Sequence, residues 1–65
     1  MQGVISKYIS ENYSEYGFFK EAEDNHAWYF ENDKLELKVV KDTLWIWGRD
    51  AGSEDWDLYD VAEVA

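Results

Sequence analysis

Carboxylates crowd the end of this chain, in the stretch DAGSEDWDLYDVAEVA, where no lysine or arginine occurs. Clustered carboxylates can bind a hard cation, act as a general acid and base, or present negative charge to a partner. The acidic residues of this stretch are Asp50, Glu54, Asp55, Asp57, Asp60 and Glu63. A second acidic group, which we take as the next candidate, comprises Glu21, Glu23 and Asp24.

The order of these residues does not fit a metal site or a catalytic site. An EF-hand loop has the order Asp-x-Asp-x-Asp-Gly, and Gly52 lies in the wrong place for it. Two catalytic carboxylates must face each other across a cleft, which nothing in this short chain suggests. The chain has no cysteine, a single histidine (His26) and no serine in a nucleophile elbow. We therefore expect no metal, no cofactor and no enzymatic activity.

The overall charge favours a cationic protein surface as the partner. Fifteen acidic residues against six basic ones give a formal net charge of −9. The acidic side chains repel one another in so small a protein, and its net negative charge would also repel nucleic acid and anionic membranes. No apolar run approaches the ~20 residues of a membrane span, and the N-terminus lacks a signal-peptide pattern. The expected location is the cytoplasm.

The composition predicts one folded domain, residues 1–65. Hydrophobic residues make up 46% of the chain and aromatic residues 18%. Each of the four tryptophans can bury roughly 150–250 Å². Because no disulfide is available, packing must stabilise a domain close to the lower size limit for a single core.

The N-terminal part predicts a helix from Gln2 to Tyr16, because apolar residues recur there at spacings of three and four. Gly17 follows where a left-handed C-terminal cap would be needed. The stretch 18–25, which contains FFKEAED, is ambiguous between helix and strand. We favour a strand that turns at Asp24-Asn25.

The middle of the chain predicts an antiparallel meander. The runs HAWYFE, KLELKVV and TLWIWGR are separated by the turn pairs Asn32-Asp33 and Lys41-Asp42. Two-residue loops would set these pairs opposite each other: Phe30 and Leu35, Trp28 and Leu37, Val39 and Leu44, Leu37 and Ile46. The predicted inner face is Trp28, Phe30, Leu35, Leu37, Val39, Leu44 and Ile46, against which the helix can pack. The predicted outer face is Tyr29, Glu36, Lys38, Trp45 and Trp47, with Lys38 in a cation–π pair with Trp45.

A short C-terminal helix completes the predicted fold. Ser53 suits its N-cap, and Glu54 and Asp55 suit the positive end of its dipole. Its apolar side would be Leu58, Val61, Ala62 and Ala65, and its acidic side Asp57, Asp60 and Glu63. The apolar side would cover Trp45 and Trp47; if exposed, they would form the apolar centre of a protein interface. The expected class is α+β, with an N-terminal helix on a three- to four-stranded meander and this short acidic helix.

A helical row of carboxylates could imitate a phosphate backbone. Residues three apart on a helix are separated by ~4.5 Å along its axis. The phosphates of a DNA strand repeat with ~3.4 Å of axial rise. The alternative interpretation is a solvated helix face whose charge serves only solubility. A stacking platform for single-stranded nucleic acid at Trp45 and Trp47 is disfavoured, since such platforms sit in basic grooves.

The stretch GFFKEAEDNHAWYFENDKLELKVVKDTLWIWGRDAGSEDWDLYD, with the chain's small size, resembles phage-encoded DNA mimics, and among them the anti-CRISPR inhibitors of the type I-C effector. The resemblance covers the whole chain and carries no residue motif. It implies that the partner is the DNA-binding channel of a type I surveillance complex, and points to its large subunit that reads the protospacer-adjacent motif. It implies action in the bacterial host cytoplasm.

Two other functions remain open from the sequence. An immunity protein or antitoxin that neutralises a basic nuclease toxin would also present an acidic surface on a small scaffold. A phage accessory domain could use its acidity for solubility alone.

Overall fold

A computed structural model describes residues 2–17 and 20–63 of the chain. These residues form a helix α1 (Gln2–Asn12), a short 3-10 helix (Ser14–Tyr16) and the strands β1 (Lys20–Glu23), β2 (Ala27–Glu31), β3 (Leu35–Val40), β4 (Trp45–Asp50) and β5 (Asp57–Val61). The strands make one antiparallel sheet in the order β1-β2-β3-β4-β5. The α+β class is confirmed, but the meander has five strands rather than three or four.

The N-terminal helix is shorter than predicted. Helix α1 ends at Asn12, and the chain passes through Tyr13 into the 3-10 turn. Asparagine and serine are weak helix formers because their side chains compete for backbone groups, and the Asn12 amide donates to the Tyr8 carbonyl at 2.9 Å. Gly17 has the expected positive φ of 84°, but its ψ of −153° lies outside the left-handed helical region. The predicted cap is therefore wrong in form.

The core lies between α1 and one face of the sheet. Ile5 and Ile9 on α1 are 0% and 1% exposed. The buried cluster that contains them is completed by Trp28, Phe30, Leu35, Leu37, Val39, Ile46 and Ala62, with Leu44 partly buried against it. The predicted inner face is thus confirmed except for Leu44, which precedes β4 and is only partly buried. We call this side of the sheet the covered face.

In the first hairpin, the pairing of β2 with β3 is displaced by two residues from the predicted register. Phe30 lies opposite Leu37 rather than Leu35. The carboxamide oxygen of Asn32 accepts hydrogen bonds from the backbone N–H groups of Lys34 and Leu35, both at 2.8 Å. This turn, closed by the side chain of Asn32, moves the two-residue loop one position along the chain.

The second hairpin is displaced by the same amount. Val39 lies opposite Ile46 rather than Leu44. Leu44 joins the loop with a φ of 59°, and its N–H donates to the Val40 carbonyl at 2.7 Å. Because side chains alternate with a period of two, a displacement of two residues changes every pair but leaves each residue on its predicted face.

The prediction for 18–25 is confirmed where the structure describes it. Lys20–Glu23 forms strand β1, and the chain turns after it, where Asp24 accepts hydrogen bonds from the backbone of the next strand. The Phe18 and Phe19 part of that prediction lies outside the described residues.

The predicted C-terminal helix is wrong, because Asp57–Val61 forms the strand β5 beside β4. The hydroxyl of Ser53 accepts from the Asp55 N–H at 3.2 Å, but it closes a turn rather than capping a helix. A helix of this length is marginal alone, whereas the free edge of β4 offers a full set of ladder hydrogen bonds. Ala65, assigned to the apolar side of that helix, lies outside the described residues.

Candidate partner-binding site

Strand β5 places Asp57 and Asp60 on the covered face through a β-bulge. Leu58 lies opposite Trp47, yet Asp60 lies opposite Ile46, so Tyr59 is the extra residue. Residues three apart in a regular strand point to opposite faces. The bulge cancels this alternation, so both carboxylates share the face of Ile46.

The carboxylates of the C-terminal stretch follow one edge of the sheet. Asp50 ends β4, Glu54 and Asp55 lie in the loop that leads to β5, and the others lie on or just after β5. We call the set the acidic edge: Asp50, Glu54, Asp55, Asp57, Asp60 and Glu63. All of these residues are exposed.

The acidic edge contains no ion pair among the described residues. The ion pairs of the described part of the chain join Lys7 to Glu11 at 4.0 Å, Lys41 to Glu23 at 2.5 Å and Arg49 to Glu36 at 2.6 Å. Each of these carboxylates lies outside the acidic edge. The negative charge of the edge is therefore not neutralised by the protein's own lysines or arginine.

The spacing of the carboxylates differs from that of the predicted helical row. Asp57 lies opposite Gly48 and Asp60 opposite Ile46, so the bulge leaves them two ladder positions apart, which is ~7 Å along the strand axis. Two steps of a DNA strand also rise by ~7 Å. The edge can therefore match every second phosphate, and the ~4.5 Å spacing expected of a helix is wrong.

Three tyrosines on or near β5 have raised pKa values, to which the carboxylates of this edge contribute. The Tyr8 hydroxyl donates to Asp60 at 3.3 Å and to the Val61 carbonyl at 3.4 Å. Burial and then the charge of Asp60 raise the pKa of Tyr8, and the same two causes raise the pKa of Tyr13 to about 12. Burial and then the charge of Asp50 raise the pKa of Tyr59. A negative field penalises phenolate formation, as it would attract a cationic partner.

The second acidic group lies on the opposite edge of the sheet, at and just after β1. Four strand spacings separate the two edges, which is about 19 Å. Glu21 accepts a hydrogen bond from the Ser6 hydroxyl, and Glu23 pairs with Lys41. Both carboxylates are therefore engaged within the protein.

Asp24 also has a structural role. Its carboxylate accepts from the backbone N–H groups of Ala27 and His26 and from the Tyr29 hydroxyl, at distances of 2.8–2.9 Å. These hydrogen bonds, with Ala27 the largest contribution, lower the pKa of Asp24. The structure therefore does not bring the second acidic group together with the acidic edge.

The outer side of the sheet has no helix over it in the described residues. Trp45 is 43% exposed, and Trp47 is half-buried with its ring centroid 6.2 Å from that of Trp45. We call this side the open face; its apolar residues on and beside β4 and β5 are Trp45, Trp47, Trp56, Leu58 and Val61. The expectation that a C-terminal helix covers Trp45 and Trp47 is wrong, because that segment extends the sheet instead of crossing it.

Trp56 makes cation–π contacts with two basic side chains at the centre of the open face, Lys38 and Arg49. The Lys38 ammonium and the Arg49 guanidinium carbon each lie 4.4 Å from the centroid of its ring. Lys38 lies opposite Trp47 in the ladder, so the predicted pair with Trp45 is wrong by the same displacement of two residues. The sequence alternation placed Lys38 and Trp47 on one face but did not assign Arg49, and the position of Trp56 depends on β5.

Other site types are not found among the described residues. No group of three or more histidine and carboxylate side chains is placed to hold a metal ion within residues 2–17 and 20–63. Within the same ranges, no helix has the length and apolarity of a membrane span. Comparison with known families, curated proteins and solved structures finds no match for this chain.

Proposed function

We propose that this protein is a DNA mimic that binds the cationic nucleic-acid-binding surface of another protein and excludes its DNA. The observation that carries the proposal is the acidic edge: exposed carboxylates from Asp50 to Glu63 that make no ion pair among the described residues. A protein surface built to bind phosphates would find a comparable array of anions here.

Electrostatics supplies the mechanism. A groove lined with lysine and arginine focuses a positive field, and complementary charge raises the association rate by ~10 to 10³ at low salt. Strand β5 holds Asp57 and Asp60 on a hydrogen-bonded ladder, so their positions cost little entropy to fix on binding. Once the edge occupies the groove, DNA and inhibitor compete for the same cations.

The resemblance to type I-C anti-CRISPR inhibitors narrows the proposed target. The partner would be the DNA-binding channel of a type I surveillance complex, with its large motif-reading subunit as the first candidate. The protein would act in the cytoplasm of the bacterial host, without a cofactor and without enzymatic activity.

Charge reversal on β5 tests this proposal. We expect Asp57→Lys with Asp60→Lys to abolish inhibition of target-DNA binding by a purified type I-C surveillance complex, measured by gel shift. The matched control is Asp33→Lys with Asp42→Lys, which makes the same charge change at two exposed turn residues outside the acidic edge. The control should inhibit like the unaltered protein.

A second variant separates lost binding from lost folding. Asp60 accepts a hydrogen bond from Tyr8, so its replacement removes a native contact. Glu54→Lys with Asp57→Lys leaves that bond intact and should weaken inhibition at least ~10-fold, the lower end of the steering effect. Circular dichroism should show native spectra for all variants. Full inhibition by folded variants of β5 would exclude the acidic edge as the binding surface.

A further inference from the structure

The open face groups three of the six large hydrophobic side chains that are exposed among the described residues. Leu58 is 52% exposed, Trp45 43% and Val61 41%. The ladder makes the patch continuous, because Val61 lies opposite Trp45 and Leu58 lies opposite Trp47. Exposed apolar patches with a polar rim mark interaction surfaces in small proteins.

We propose that a second copy of this chain packs on the open face, so that two sheets stack face to face in a symmetric dimer. In such a sandwich the two inner faces interdigitate about 10 Å apart. Both α1 helices then lie on the outside. The dimer then has four layers, in the order helix, sheet, sheet, helix. Each sheet is covered by apolar side chains on both sides, which one copy alone does not provide.

Charge favours a second copy as the occupant. The protein carries a net charge of −9, so most of its surface repels another copy. Lys20 lies opposite Glu31, and Asp24 accepts a hydrogen bond from the Tyr29 hydroxyl, so both belong to the open face. Its charges therefore balance, with three basic residues (Lys20, Lys38 and Arg49) and three acidic ones (Asp24, Glu31 and Glu36). A surface with both signs and no excess can be self-complementary about a two-fold axis. A nucleic acid would gain little from a face with this balance.

The dimensions of the face suit a small dimer interface. The protein measures 32 × 21 × 19 Å along its principal axes. The two longer dimensions bound roughly 670 Å², which is an upper limit for one flat face and lies somewhat below the ~800 Å² per partner of a standard interface. Three tryptophans on this face supply the aromatic anchors typical of an interface centre.

The proposed dimer presents two acidic edges. Asp57 and Asp60 point to the covered face, away from the dimer contact, so both edges stay accessible. One dimer could then engage two cationic surfaces at once. This inference stands on the open face and does not depend on the proposed DNA mimicry.

Sedimentation equilibrium of the isolated protein at rising salt tests the dimer. Two bodies of charge −9 repel, so we expect dimerisation to strengthen as the Debye length falls from about 10 Å at 0.1 M salt to about 3 Å at 1 M. The mass should rise from the 7.7 kDa of one chain to twice that value. Binding to a cationic target shows the opposite salt dependence, so the two proposals fail independently.

Two arginine substitutions locate the contact. Leu58→Arg on the open face should leave the protein monomeric with an unchanged circular dichroism spectrum. Val4→Arg makes the same charge change at a residue of α1 that is 44% exposed, and it should leave the dimer intact. A monomeric mass for the unaltered protein at millimolar concentration and high salt would overturn the proposal. A dimer that survives Leu58→Arg would also overturn it.

Discussion

The two faces of one sheet differ in what their residues do. On the covered face, Leu37, Val39 and Ile46 have no measurable exposure and pack under α1. On the open face, Trp45 and Leu58 keep about half of their surface in solvent although they belong to the same sheet. The covered face determines the fold, because moving β2, β3 or β4 by one residue would expose its buried apolar residues. The open face is free to bind.

The largest predicted effect separates the two faces directly. Leu37→Ala removes a fully buried side chain and should lower the free energy of unfolding by about 2–5 kcal/mol, much of the stability of a small domain. Leu58→Ala changes the same residue type on the open face and should stay within about 0.5 kcal/mol. Urea unfolding of dilute protein measures both. Equal losses would mean that the open face is covered in the folded protein.

The next effect probes the place on the covered face where the Tyr59 ring of β5 lies over Gly48. A Cβ on Gly48 would lie 2.6 Å from the Tyr59 ring, so Gly48→Ala must displace that ring. We expect a loss of about 1–3 kcal/mol, the usual cost of overpacking. In a Tyr59→Ala background, the same substitution should be neutral or stabilise by up to about 1 kcal/mol, since alanine suits a strand better than glycine. A loss that persists without the Tyr59 ring would point to backbone strain instead.

The smallest predicted effect is a pH dependence of the covered face. Burial and the charge of Asp60 raise the pKa of Tyr13 from 10.0 to about 12. When the pKa of a group is higher in the folded protein than in the unfolded chain, its contribution to stability is complete at a pH below the unfolded-state pKa. The contribution of Tyr13 to the free energy of unfolding is therefore present below pH 10 and is lost as the pH rises towards 12. Tyr13→Phe keeps the ring and removes the titration. Thermal unfolding between pH 9 and pH 12, a window set by that pKa shift, should therefore decline less steeply for the variant than for the unaltered protein. Parallel declines would rule out Tyr13 as a source of the alkaline loss.

The alternation in the sequence was sufficient to predict which residues of the meander are buried. It could not determine the register, since a displacement of two residues preserves both faces. Asn32 closes its turn one position later than expected, and Leu44 adopts a left-handed conformation that is uncommon for leucine. Such local choices depend on single hydrogen bonds and leave no trace in the hydrophobic pattern.

In the C-terminal segment, the spacing of the apolar residues led to the wrong type of secondary structure. Its apolar residues at 58, 61 and 62 fit a helical spacing, and a strand with a bulge at Tyr59 also brings 58 and 61 to one face. The free edge of β4 decided between the two, and that edge exists only once the other strands have paired. The grouping of Asp57 with Asp60 was therefore predicted correctly for the wrong geometry, whereas the exposure of Trp45 was predicted only as the alternative to burial under a helix.

The salt dependence of complex formation tests the central claim most directly. The affinity of the unaltered protein for a purified type I-C surveillance complex would be titrated between about 0.1 M and about 1 M salt, where the Debye length falls from about 10 Å to about 3 Å. If the acidic edge acts as a DNA mimic, the affinity falls steeply with salt and falls less steeply for Glu54→Lys with Asp57→Lys. An affinity that is constant or rises with salt would contradict the claim.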